Sequence, residues 1–440
     1  MRKKQSVLTQ SSSERMLKVY FVLFAVCAVL TVIGMLLSDG RSFTDTLYYG
    51  LFDNDEFMDF YNSIRDAGTR EVYKKGVIYP PLANVFFFFI SKMTNPAMVA
   101  LPNKERAQIR SDAASQALLF IYLFACVLLI ARLIQQKTES RFSSNRAWLF
   151  SLMMIASYPV IYCIQRGNLL LLTMALSMFF VFFRNDKRKW VRELALLSLA
   201  AAAGFKLYPA VLGLLLIKDK KYKQAVRLIL YGILFVFVPF FFYDGFESIK
   251  DLIVNIQNFD SKKQITPGFV TVDVFAEYGE YFLGLNFDII HWLLFPTTML
   301  AAVAVFFLAK EEWKQVWCLI YLFMNINSCG QTYILVFALI PFVLFLTERN
   351  GRKIDLLYLL LFAVLLLAVP PLYYSILNPS GAKLIGFGKY LIRPNQITSA
   401  FAVQGLLAVL ALDTLFEVAK KSKKRNAENT ADNKRTAKAV

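Results

Sequence analysis

Long apolar runs, interrupted by short polar segments rich in Lys and Arg, recur from one end of the chain to the other. Roughly 17–25 apolar residues carry a helix across a bilayer. The pattern therefore predicts spans over residues 16–37, 115–135, 147–164, 169–183, 228–243, 289–309, 355–377 and 397–418. Two stretches do not suit a single crossing. Residues 194–217 have basic clusters on both flanks, so two half-helices meeting near Phe205-Lys206-Leu207-Tyr208-Pro209 are expected. Irregular backbone at membrane depth is tolerated where it lines a polar cavity. Residues 316–347 carry no charge over 32 positions, and Asn325-Ile326-Asn327-Ser328-Cys329-Gly330-Gln331 marks a polar turn between two short spans. The fold class expected is an all-α polytopic membrane protein of about 12 crossing helices, short or broken ones included.

Composition agrees with the pattern. Of 440 residues 57% are hydrophobic, and 41 Phe outnumber 31 acidic residues, too little charge to solvate soluble domains of this size. The net charge of +18 sits in short segments between spans, at 132–146, 184–192, 218–227, 349–353 and 420–425. Short basic loops stay on the cytoplasmic side, so the charge reports topology and not a nucleic-acid partner. Both termini are then cytoplasmic, in a plasma-membrane protein whose outer loops are residues 38–114 and 244–288. Met1-Arg2-Lys3-Lys4 precedes a first run too long for a signal sequence, and no small-residue cleavage site follows, so an uncleaved span is expected. Residues 1–417 form one integral membrane domain, followed by a basic, low-complexity tail at 418–440 expected to be disordered. The five Cys lie in or beside apolar stretches without ligand-like spacing, which implies neither disulfides nor a metal site.

The first outer loop is rich in acids: eight of them lie between residues 38 and 78. At about 100° per residue, Phe57, Phe60, Tyr61 and Ile64 share one helix face, and Asp55, Asp59, Asn62 and Asp66 share the other. That describes an interfacial helix whose polar face is either simply solvated or supplies a general base. Tyr79-Pro80-Pro81-Leu82 then opens an apolar run, residues 83–90, too short to cross; it is a plain helix start or a wall of the site. Two cations stand where cations are costly: Lys206 inside an apolar stretch, and Arg166 in a turn held at the outer boundary. Lys206 either snorkels to the interface or, with Arg166, meets an anionic group such as a lipid phosphate. The single His291 cannot build a metal site and suits an interfacial position. Phosphate-loop and dinucleotide fingerprints are missing, which argues against cytoplasmic nucleotide chemistry.

Taken in order, Met58-Asp59-Phe60-Tyr61, Tyr79-Pro80-Pro81-Leu82, Arg166-Gly167-Asn168 and Gly204-Phe205-Lys206-Leu207-Tyr208-Pro209 resemble glycosyltransferase family 87. Its members are polyprenyl-phosphate-sugar-dependent enzymes, usually mannosyltransferases. The resemblance is clear over roughly residues 59–220. It implies Asp59 as the general base for an inverting hexosyl transfer to a lipid-linked or cell-envelope glycan. Lys206, with Arg166, would hold the donor phosphate, and a fixed cation can do this without a divalent metal, so no metal or other cofactor is expected. Tyr79, Asn168, Tyr208, Gln331 and Tyr333 would line the site. The late-chain His of many members is missing, and Gln331 or Tyr333 stands in its region. Either one replaces that His as a hydrogen-bonding group, or the sugar and acceptor differ. A lipid-linked-sugar transporter or flippase is the alternative, with little use for Asp59. A polymerase would want a more Arg-rich loop than 244–288, which has no Arg.

Overall fold

The computed structural model describes the backbone of residues 2–37, 56–262, 270–326, 332–348, 351–367, 385–387, 390–392 and 394–436. It is helical nearly throughout, with one short antiparallel pair, Ile385–Phe387 against Tyr390–Ile392. Among the described residues five helices are long and apolar enough to span a bilayer: Ser13–Leu37, Ala113–Thr138, Tyr222–Phe242, Phe287–Leu308 and Ile397–Lys423. A sixth span is obtained if the bent pair Ser144–Ile155 and Tyr158–Arg166 counts as one. The other expected crossings fall on shorter apolar helices or broken segments, such as Leu170–Phe183 and Asp355–Leu366. Among the described residues, apolar side chains along these spans such as Phe120, Phe124, Ile229, Leu293 and Phe416 are largely exposed. On a chain this apolar such a surface requires lipid.

Two breaks shape the interior. The run 147–164, expected as one span, bends by 53°. Pro159 lacks the N–H that would continue the first helix, and Ser157 is extended, so a second helix starts at Tyr158. The expected break near residue 206 is present: helix Lys189–Phe205 stops, Lys206 is extended at φ −148° and ψ 123°, and a 3-10 turn Tyr208–Gly213 follows. Gly204 permits the approach just before this break. A Cβ there would meet Leu82 Cδ2 at 2.7 Å and the Phe235 carbonyl at 2.8 Å.

The charge-free run 316–347 is the heart of the core. It forms Glu312–Ile326, then Thr332–Ala338 and Leu339–Glu348, nearly all buried; the turn at 327–331 lies outside the described residues. Trp313 and Trp317 pack edge-on against Phe345 and Phe362. At one end Lys314, fully buried, binds Asp413 at 2.8 Å, and Arg352 binds the same carboxylate, fastening this helix to Pro394–Thr436. The backbone of that last helix continues to Thr436 along the basic segment, which is rich in Ala, Lys and Arg.

The first inter-span segment folds down onto the bundle. Helix Met58–Ala67 has the expected apolar face, but protein covers it: Phe60 lies 5.7 Å from Phe87 and 5.5 Å from Tyr122, ring centre to ring centre. The apolar face of this helix is therefore packed against protein. Asp55 precedes the described residues.

Candidate active site

Helix Met58–Ala67 is docked by its own entry. Phe57 takes a left-handed conformation, φ 58°, and its N–H bonds the Gln165 carbonyl at 2.7 Å. Gln165 belongs to helix Tyr158–Arg166, which ends at Gly167 with φ 62°. A glycine in this conformation just past a helix is the usual C-terminal stop. Here it also admits the neighbouring helix, since a Cβ on Gly167 would meet Phe60 Cβ at 2.9 Å and the Phe57 carbonyl at 3.3 Å. One glycine thus ends the helix after Arg166 and lets the Asp59 helix approach.

The result is a three-residue lock. Asp59 Oδ1 accepts from the Arg166 guanidinium, and its Oδ2 accepts from Asn168 Nδ2 at 2.7 Å. Asn168 is itself fixed, because its Oδ1 accepts from Leu170 N–H at 2.9 Å and caps helix Leu170–Phe183. The helix N–H decides which way the amide points, so its NH2 must face Asp59. Tyr122 donates to the Asn168 carbonyl at 2.9 Å and anchors the turn to Ala113–Thr138. The Asp59 side chain keeps 20% of its surface exposed, against 11% for Arg166. It is oriented by two donors and still reachable, which suits a base that must meet a hydroxyl.

Lys206 reaches the same neighbourhood from the helix break. Its Nζ lies 4.0 Å from the centre of the Tyr79 ring, a cation–π contact. Tyr79 is held through its carbonyl, which accepts from Asn84 Nδ2 at 3.1 Å and from the Tyr73 hydroxyl at 3.2 Å. Asn255, on helix Phe246–Lys262, in turn donates to the Tyr73 and Val77 carbonyls. Cys163, one turn before Arg166, lies within electrostatic reach of both Asp59 and Lys206. Its thiol donates to the Tyr333 carbonyl at 3.4 Å, and the Tyr333 ring faces Tyr162 at 6.2 Å. Tyr208 turns into the core against Phe323 and Phe337. Gln331 lies outside the described residues.

The sequence names Asp59, Arg166, Asn168, Lys206 and Tyr79 but does not place Asp59 against Arg166 and Asn168, or Lys206 against Tyr79. Arg166, expected with Lys206 on a donor phosphate, pairs with Asp59. Tyr122 and Gly167 were not singled out; the signal for Gly167 was a glycine directly after the last residue of an apolar helix. His291 joins Asp273 at 2.8 Å on the second inter-span segment. Among the described residues no group of three or more His, Cys, Asp or Glu is placed to hold a metal ion.

No curated protein and no solved structure matches this chain. The family model of glycosyltransferase family 87 does, over residues 77–324. That stretch holds Tyr79, Arg166, Asn168 and Lys206, and Asp59 lies just before it. With more than half of its length matched, the chain belongs to glycosyltransferase family 87.

Proposed function

We propose that this membrane glycosyltransferase moves a hexose, mannose foremost, from a polyprenyl-phosphate sugar to a hydroxyl of a lipid-linked or cell-envelope glycan, with inversion. The observation that carries this is Asp59, held by Arg166 and Asn168 yet partly exposed, near a cation at a helix break. Asp59 takes the proton of the acceptor hydroxyl as its oxygen bonds the anomeric carbon from the face opposite the leaving group. The bond from that carbon to the phosphate oxygen breaks, and the electron pair leaves with the polyprenyl phosphate. Lys206 stabilises the charge gathering on that oxygen. Arg166 and Asn168 are positioning residues, since they act through the carboxylate they hold. Tyr79 offers a ring face to sugar or isoprenoid.

The distribution of basic loops supports a plasma-membrane protein of about 12 crossings with both termini inside and this site facing out. A single domain, residues 1–417, would carry it. The charge on Lys206 would serve without a divalent ion, so chelation with EDTA should leave turnover intact. The test compares membranes with and without the protein, supplied with radiolabelled polyprenyl-phosphate sugars, for new lipid-soluble glycosylated products. Asp59→Asn should lower transfer by roughly 10²–10⁴-fold while donor binding persists. Wild-type transfer in this variant would remove the base and favour a carrier of lipid-linked sugars.

A further inference from the structure

Next to the catalytic helix lies a second polar feature that the transfer chemistry does not use. A cavity of about 760 Å³ opens where the C-terminal half of helix Met58–Ala67 meets the segment from Ser91 to Pro102. Its wall carries Arg65, Lys75 and Lys92 against a single acid, Asp66. Arg106 acts electrostatically on both Arg65 and Asp66, adding to the positive field. The cations come from three separate elements. Arg65 is on the catalytic helix and donates to the Leu101 carbonyl at 2.8 Å. Lys75 ends the 3-10 turn Val72–Lys75. Lys92 follows helix Pro81–Ser91, donates to the Gly68 carbonyl at 3.1 Å and rests over the Phe88 ring. Burial pushes the Asp66 carboxyl up, and Arg65, Lys75 and Arg106 weaken but do not cancel the effect.

Position ties the cavity to the base. Asp66 stands seven residues after Asp59, which on a helix is within about 20° of the same face and about 10 Å further along. A molecule lying along that face can touch the cavity and Asp59 together. Lys206, over the Tyr79 ring, is not among the residues lining the cavity. We propose that the cavity is an acceptor subsite that grips a phosphate or diphosphate borne by the acceptor glycan while the acceptor hydroxyl reaches Asp59. The assignment rests on the transferase reading and makes the acceptor an anionic, phosphate-bearing one. Cations spread over three elements suit a multidentate phosphate, whose oxygens accept charge-assisted bonds from several sides. Asp66 on the same wall meets acceptor hydroxyls.

The test uses the full chain in nanodiscs of phosphatidylcholine, with inorganic diphosphate as the probe. Calorimetric affinity for diphosphate should fall roughly ten- to a hundred-fold in Lys75→Glu and in Lys92→Gln, the size expected for lost charged hydrogen bonds. It should be unchanged in Asp59→Asn. Lys75 is exposed, so its substitution spares the fold; Arg65 is left alone because it anchors Leu101. In the transfer assay diphosphate should inhibit competitively with the acceptor extract and not with the polyprenyl-phosphate donor. Affinity unmoved by Lys75→Glu, or inhibition competitive with the donor, overturns the subsite while leaving the transferase intact. Displacement of diphosphate by phosphatidylglycerol but not by the acceptor extract makes the cavity a lipid-headgroup site and also overturns it. Loss of all transfer by the wild-type protein would instead remove the functional reading and the acceptor assignment with it.

Discussion

At the scale of single residues, Asn168 serves two elements at once: its carbonyl oxygen caps one helix and its NH2 holds Asp59. Asn168→Asp keeps the cap but sets a second carboxylate against the base, with no donor between them. Transfer should fall by roughly 10²–10³-fold, the size seen when one fixed donor is lost from an active site. Thermal stability should change little beside that. If transfer and melting temperature fall in step, Asn168 serves the fold alone. Lys206 makes the opposite case. Lys206→Met should abolish transfer by a similar factor without loss of folded protein, because removing a cation from an apolar stretch costs the fold little. Lys206→Arg should retain partial activity, having charge with altered geometry. Full activity in the Met variant would mark Lys206 as a side chain that merely reaches for the interface.

At the scale of elements, helix ends and breaks place the chemistry. Arg166 ends a helix stopped by Gly167, Lys206 follows the break after Phe205, and Asp59 begins the helix that enters through Phe57. A second element carries a pH dependence of its own. On helix Asp273–Leu283 the Glu277 carboxyl is pushed up to about 7 by burial, reinforced by Glu280 and Asp273. Its Oε2 is buried, with no hydrogen-bond partner among the described residues. The same element faces His291, which binds Asp273. A carboxyl with a raised folded-state pKa stabilises the fold when protonated. That contribution is complete below about 4.5, the ordinary value, and is lost as pH rises towards about 7. Amide exchange in residues 273–283 should therefore be slower, after correction for intrinsic rates, at pH 5 than at pH 8. Glu277→Gln should flatten the difference; an unchanged profile in the variant would place the pH dependence elsewhere.

At the scale of the whole molecule, apolar helices surround a core held at one end by buried charge. Lys314 is enclosed by Asp413, Glu311 and Glu417, while Arg352 and the Tyr358 hydroxyl also engage Asp413. Removing one partner leaves the others buried without compensation, at a cost of about 3–5 kcal/mol. Lys314→Met should accordingly lower the inactivation temperature in detergent, with transfer per folded molecule preserved. Stability equal to wild type would mean that water compensates the remaining acids.

Sequence alone determined the membrane class, the break near residue 206, the apolar face of the Asp59 helix and the identities of the candidate side chains. Each of these depends on local physics: run length, periodicity, and the cost of a charge in an apolar stretch. The bend at Ser157 was equally local, and Pro159 carried its signal unread. Tertiary structure decided what no window of sequence contains. It brought Asp59 against Arg166 and Asn168, more than a hundred positions later in the chain. It set Lys206 over Tyr79, and it covered an interfacial-looking helix with Phe87 and Tyr122. Periodicity tells which face of a helix is apolar but not whether lipid or protein will cover it. A charge pattern tells that Arg166 needs an anion but not which one, because the partner is chosen by how helices pack around glycines such as Gly167 and Gly204.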